Sequence, residues 1–176
     1  MEEPVLRPLS RDDVEAVLAA FTSSDDMARQ GDVSDLAGAQ AYVADLLDAE
    51  RHQRVTAITE AGRLVGLVVV SVDPDNRNGW VSYWMHAAHR GRGWTARAVA
   101  AVADRQLGAG GLERLELGHR ANNPASGAVA AAAGFVQEGV ERGKFLVDGR
   151  RIDVLTYGRL ATDPWPDYRR LEWAAD

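Results

Sequence analysis

The segment YWMHAAHRGRGWT, from Tyr83 to Thr95, constrains the fold more than any other stretch of the chain. Its aromatic, apolar start has strand character, and the alanine-rich run after Trp94 has helical spacing, so the glycines between them mark a tight strand-to-helix turn. Gly91 and Gly93 let backbone approach a ligand closely. A helix opening at Trp94 presents unpaired N–H groups and the positive end of its dipole to an anion. Arg90 and Arg92 add guanidinium charge suited to phosphate. The run lacks the terminal Lys-Ser/Thr of a nucleotide P-loop and the spacing of a dinucleotide-binding GxGxxG, so neither of those modes is supported. Another diphosphate is the expected ligand.

Around this segment the chain alternates strand and helix patterns. Val5 to Leu9 reads as a first strand, and Ser10 with Asp13 forms a capping box ahead of Val14, Val17, Leu18 and Phe21. A second helix is expected from Ser34 to about Glu50, with Leu36, Gln40, Val43, Leu46 and Leu47 on its face. Val55 to Thr59 and Leu64 to Val72 read as a hairpin about Glu60–Arg63, and Trp80 to Met85 as the next strand. The helix after the glycine turn ends at Gly108–Gly111, and Leu112 to Leu117 is strand-like. Asn123 before Pro124 predicts a capped helix that runs to Gly134, followed by a last hairpin around Asp148-Gly149. This order implies a single α/β domain.

At 176 residues the chain suits one domain with a core large enough to need no staples. The absence of cysteine excludes disulfides, thiolate metal sites and a cysteine nucleophile. A formal charge of −6, from 26 acidic against 20 basic residues, argues against broad nucleic-acid binding and mildly favours cationic partners. MEEPVLRPLSRDD carries no charged-then-apolar leader, and no apolar run nears the roughly 20 residues of a membrane helix, so the expectation is a soluble, cytoplasmic protein without a membrane partner.

The order RGRGWT resembles the R/Q-x-x-G-x-G/A turn of the GNAT N-acyltransferase superfamily, with Arg90 first, Gly93 fourth and Thr95 departing from pattern in the last place. Asn123-Pro-Ala-Ser126, then Gly134-Phe135-Val-Gln-Glu138-Gly139, is similar to the N-x-x-S…GF-x-x-EG segment of the RimJ/RimL branch. With LRPLSRDD near the start and DVLTYGRL late, the resemblance covers roughly residues 5 to 160. It implies a GNAT-like domain over residues 1–160, with a mixed, mostly antiparallel central sheet flanked by helices and splayed central strands that admit the cofactor. Residues 161–176, which include Trp165, Pro166, Tyr168, Leu171 and Trp173, form an aromatic tail expected to pack on the domain. A homodimer interface and a wall of the acceptor site are the alternatives for it.

The resemblance also implies chemistry: direct transfer of an acetyl group from acetyl-CoA to a primary amine, with no metal. A protein or peptide N-terminus is the acceptor class it raises. Small-molecule amines, a succinyl-CoA donor, or a noncatalytic acyl-CoA-binding regulator are the alternatives. Positions matching Trp84 and Met85 run beside the pantetheine arm, those at Arg90, Gly91, Arg92, Gly93, Trp94 and Thr95 hold the pyrophosphate, and Asn123 steadies the pantetheine or its loop. Ser126 contacts the sulfur and assists its departure as thiolate. The glutamate and tyrosine used by another branch match Gly118 and Ala130, and a late acidic residue of RimL-like enzymes falls near Phe145, so none of those roles transfers. Glu116 shares a strand face with Gly118 and is the candidate for a water-mediated base, although a salt-bridged surface carboxylate is the more ordinary reading. His86 and His119 are further proton acceptors, while Asp153 and Tyr157 suit structural hydrogen bonds.

Overall fold

The structure is a computed structural model that describes residues 3–175. In chain order its elements are β1 (Val5–Pro8), α1 (Val14–Phe21), α2 (Leu36–Leu46), β2 (Gln53–Glu60), β3 (Arg63–Asp73), β4 (Asn78–Met85) and α3 (Trp94–Leu107). There follow β5 (Arg114–Arg120), α4 (Pro124–Ala132), β6 (Val136–Val147), β7 (Arg150–Leu160) and β8 (Glu172–Trp173). The strands form one eight-stranded sheet in the order β6-β7-β5-β4-β3-β2-β1-β8. Every pairing is antiparallel except β4–β5 and β1–β8.

Local chemistry accounts for the punctuation. Ala61 and Gly62 (φ 50° and 79°) turn β2 into β3, and Asp148 and Gly149 (φ 48° and 75°) turn β6 into β7. Two consecutive positive φ values are what a two-residue hairpin needs to match the strand twist. The expected capping box is present: Ser10 N–H donates to Asp13 at 2.8 Å, and the Ser10 hydroxyl accepts from the third helical position. In α2 the buried stripe is Ala39, Val43 and Leu46, at i, i+4 and i+7, whereas Leu36 and Leu47 are 47% and 37% exposed. The helix is also shorter than expected, because Leu47 caps it and a separate turn begins at Ala49.

Helices cover both faces of the sheet. One face packs Val17, Ala39 and Val43 of α1 and α2 on Leu67, Val69 and Trp84. The other packs α3 and α4 on Val68, Val70, Val81, Leu115 and Leu117. Strand β3 is therefore apolar on both sides, as a central strand between two layers must be. Alanines at 96, 98, 100, 101 and 103 keep α3 slim where it crosses the sheet.

Residues of the tail lie against α3 and β1. Leu171 is 2% exposed, its N–H donates to Arg97 O at 3.3 Å, and Glu172–Trp173 extends the sheet beside β1. Asp104 of α3 bridges Arg159 of β7 and Arg170 of the tail, each at 2.7 Å, so a buried guanidinium and the tail share one carboxylate. Gly79 governs how closely the two central strands approach. It sits where β4 first meets β5, and a Cβ there would lie 2.6 Å from Val70 and 2.9 Å from both Leu112 and Leu115. Gly79→Val is therefore expected to cost about 1–3 kcal/mol through overpacking, read as a lower urea midpoint with an unchanged slope.

Candidate active site

Strands β4 and β5 are paired over only three positions: Asn78 with Arg114, Gly79 with Leu115, and Trp80 with Glu116. Beyond them the outer edges stay paired, β4 with β3 to Met85 and β5 with β7 to Arg120, while the facing edges diverge. His86 N–H donates to Val65 O at 2.9 Å, so alternation turns the backbone groups of Trp84 toward β3 and those of Tyr83 and Met85 toward the gap. Trp84 borders the cleft, but Tyr83 and Met85 offer it their backbone. Of the expected pair, Trp84 and Met85, both border the cleft and Met85 is the one whose backbone faces it.

At the open end of the gap, His86 caps a short turn by accepting the Ala88 N–H on Nδ1 at 3.1 Å, a structural use of a candidate base. Burial, then the neighbouring His89, lowers the pKa of His86 and keeps that nitrogen an acceptor. Gly91 and Gly93 follow at φ 74° and 73°. Arg97 N–H makes the first helical bond, to Gly93 O at 3.2 Å, so the N–H groups of Trp94, Thr95 and Ala96 precede the ladder. Near Gly93 the space is open, with only the Tyr168 hydroxyl at 4.0 Å from where a Cβ would stand.

The two arginines of the turn act as braces. Arg90 Nε donates to Met85 O at 3.0 Å and its Nη1 grips both oxygens of Asp26 at 2.9 and 3.0 Å. The Asp26 carboxyl is held below its ordinary pKa by Ser24 first and then by Arg90. Arg92 donates to Ala88 O at 3.0 Å and lies 4.8 Å over the Trp94 ring. Both line the cleft while tying the turn to its surroundings.

Helix α4 supplies the third wall. The Asn123 carboxamide accepts from Ser126 N–H at 3.4 Å as an N-cap and donates through Nδ2 to Ser126 Oγ at 3.0 Å. Tyr83 reaches across the gap and donates to Ser126 O at 3.4 Å. Burial raises the Tyr83 pKa, so the phenol stays a donor at neutral pH.

These walls enclose a cavity of about 510 Å³. Trp84, Met85, Arg90, Gly91, Arg92, Gly93, Trp94, Thr95, Asn123 and Ser126 all border it. Tyr83 and Tyr168 border it too, though the sequence singles out neither as a site residue: the first reads as core or groove-lining, and the second stands in the tail more than 70 residues from the turn it faces. Glu116 is not brought here. It lies at the closed end, where Arg114 binds it at 2.8 Å and also binds Glu138, and it borders neither this cavity nor its neighbour. The salt-bridged reading describes its surroundings.

His119 is 8% exposed and locked: Nδ1 lies 2.8 Å from Arg120 O, which places the ring proton there, and Nε2 accepts from the Tyr157 hydroxyl at 3.1 Å. Asp153 accepts the Gly143 N–H at 2.7 Å, a structural bond within the β6–β7 hairpin. Among the described residues no group of three or more His, Cys, Asp or Glu is placed to hold a metal, and no helix is long and apolar enough to cross a membrane. An open backbone turn at one end of a narrow gap, with Ser126 on the side wall, can receive a long ligand whose anionic end lies at the glycines.

Comparison with known proteins bears on this geometry. A profile described as the acetyltransferase (GNAT) domain matches residues 5–136. The ribosomal-protein-serine acetyltransferase of Escherichia coli (strain K12) is 28% identical over 117 residues, and that similarity spans 65% of this chain and 65% of the relative, just under two thirds of its length. Among solved structures, RimL, a ribosomal L7/L12 alpha-N-protein acetyltransferase in complex with coenzyme A, superposes with a TM-score of 0.81 at 21% identity, covering 91% of this chain and 95% of that one. The spermidine N-acetyltransferase from Vibrio cholerae in complex with CoA and spermine gives 0.79 at 19% identity, over 92% and 97%. The structural likenesses establish the fold. Residues 5–136 contain the splayed strands, the glycine turn and the Asn123–Ser126 cap together, and by that match the chain belongs to the acetyltransferase (GNAT) domain family.

Proposed function

We propose that this protein transfers an acetyl group from acetyl-CoA to a primary amine, with the N-terminus of a peptide or protein as the acceptor. The observation that carries the reading is the place of Ser126. Ser126 borders both the cleft beside the glycine turn and the adjoining cavity, a position that supports one residue serving a donor on one side and an acceptor on the other. Acetyl-CoA supplies an activated acyl carbon and a thiolate leaving group.

The residues account for the remaining work. Backbone N–H groups at Gly93 to Ala96 receive the diphosphate, with Arg90 and Arg92 holding the turn in shape. The Met85 N–H, turned into the gap, is positioned to donate to an oxygen that gains charge as the amine attacks. Asn123 Nδ2 fills one lone pair of Ser126 Oγ, which leaves the hydroxyl hydrogen to point at the departing sulfur. The nitrogen–carbon bond forms, the carbon–sulfur bond breaks, the sulfur takes the Ser126 proton, and the surplus amine proton passes to water, from which Ser126 is reprotonated. An α-amine, with a pKa of about 8, is neutral often enough at pH 7 to attack without a strong base, whereas a lysine amine near 10.4 is not. The absence of Glu116 from the cleft fits an acceptor of the first kind.

The direct test is mass spectrometry of the purified protein with acetyl-CoA and a panel of N-terminal peptides, lysine peptides, polyamines and aminoglycosides. One acetyl group added to the N-terminal peptides is the expected result; acetylation of polyamines alone would sink the acceptor assignment, and no product from any amine would sink the enzyme assignment. Ser126→Ala should lower kcat by about 100-fold while the KM for acetyl-CoA moves little, since a proton donor acts mainly in the transition state. Gly93→Val places a branched side chain at positive φ in the open turn, and CoA affinity by calorimetry should fall about tenfold or more. Unchanged affinity would remove the turn as the diphosphate cradle.

A further inference from the structure

On the other face of the sheet a second cavity, of about 360 Å³, adjoins the first. Leu115 and Leu117 of β5 point into the core under α3 and α4, so alternation turns Gly118 and Arg120 the opposite way. Those two border the second cavity together with Trp80 and Ser82 of β4 and Phe145 of β6. Both cavities are bordered by Tyr83, Asn123 and Ser126, so an amine held in the second meets the Ser126 hydroxyl through the gap between β4 and β5.

The charge of this cavity runs against that of the chain. The protein is net −6, yet among the described residues the charged side chains that border the second cavity are Arg29, Arg120 and Lys144 against a single carboxylate, Asp26. Asp26 is already taken by Arg90, which holds both of its oxygens. Lys144 is paired with Glu141 at 2.6 Å. Arg120 lies 4.7 Å over the Phe145 ring, a contact that fixes the guanidinium plane and leaves its N–H donors to a ligand. Among the described residues neither Arg29 nor Arg120 is held in a salt bridge. Half-buried Arg120 and exposed Arg29 both border the cavity. A polycationic amine would find no uncommitted carboxylate here.

We infer that the acceptor is an acidic peptide: a free N-terminal amine followed within its first few residues by carboxylates that Arg120 and Arg29 bind. This rests on the acetyl-transfer reading of the Ser126 site and adds the charge of its acceptor. The two guanidiniums orient the chain so that its amine enters the gap, and they draw an anionic segment toward a protein whose overall charge would repel it.

The test measures binding, so that it stands apart from turnover. Three peptides with a free N-terminal serine, followed by two aspartates, two alanines or two lysines, are titrated into the CoA-loaded protein by calorimetry, with spermidine as a fourth ligand. The aspartate peptide is expected to bind about tenfold more tightly than the alanine peptide, and the lysine peptide more weakly than either. The advantage should shrink when salt is raised from about 0.05 to about 0.3 M. It should vanish in Arg29→Ala/Arg120→Ala with CoA affinity unchanged, and reverse toward lysine in Arg120→Glu. Equal affinities, no measurable binding of any peptide, tighter binding of the lysine peptide or spermidine, or an advantage that survives the double substitution would overturn the inference. Failure of acetylation with the aspartate preference intact would instead remove the enzyme assignment and leave the peptide site standing.

Discussion

The structure depends on how briefly β4 and β5 pair. A parallel pair in the middle of a sheet ordinarily runs the length of its strands, because every unpaired backbone group buried there is costly. Here pairing ends after Trp80 and Glu116, and the groups released beyond it line a cleft instead of a ladder. Gly79 permits the close approach at the paired end, where Val70, Leu112 and Leu115 leave no room for a side chain. Tyr83 holds the other end at a set width by bonding across to α4. A cleft is thus made by interrupting a sheet at a defined position, and the helices on both faces keep the interruption from collapsing.

Division of labour around the gap follows from where charge is spent. Arg90 and Arg92, the obvious anion ligands of the turn, are engaged by Met85 O, Asp26, Ala88 O and the Trp94 ring. Their work is to hold the glycine backbone rigid, which suits a site that recognises a diphosphate through N–H groups and a helix dipole. Around the second cavity the pattern differs: Arg120 lies over the Phe145 ring and is in no salt bridge among the described residues. Ser126 stands at the junction of the two, oriented by a cap residue that would be needed for the helix in any case.

Much of this architecture is legible in residue order. The strand, glycine turn and helix from Tyr83 to Thr95, the Asn123-Pro124 cap and the Asp148-Gly149 hairpin are local devices, and each forms where its chemistry places it. Features that depend on partners distant in sequence are less exactly legible. Leu36 and Leu47 have the spacing of a buried stripe but lie at the edges of α2, beyond the reach of the sheet. Glu116 has the right strand face for a base, yet Arg114, two residues away on the same side, captures it. That Met85 and not Trp84 turns its backbone to the gap follows from strand register, which cannot be read without the partner strand.

By itself, then, the sequence determined the kinds of element, their caps and turns, the open glycine turn ahead of α3 and the place of Ser126 in the first turn of the capped helix. These follow from interactions within a few residues, where backbone geometry and hydrogen-bond reach are set by neighbours. Tertiary structure alone decided where β4 and β5 part, which backbone groups face the gap, that the tail adds a strand beside β1 and brings Tyr168 to the turn, and that Arg29, Arg120 and Lys144 gather around the second cavity. Those are products of long-range pairing and layer packing. They depend on which surfaces meet when apolar faces are buried, a contest among distant segments that no local pattern records.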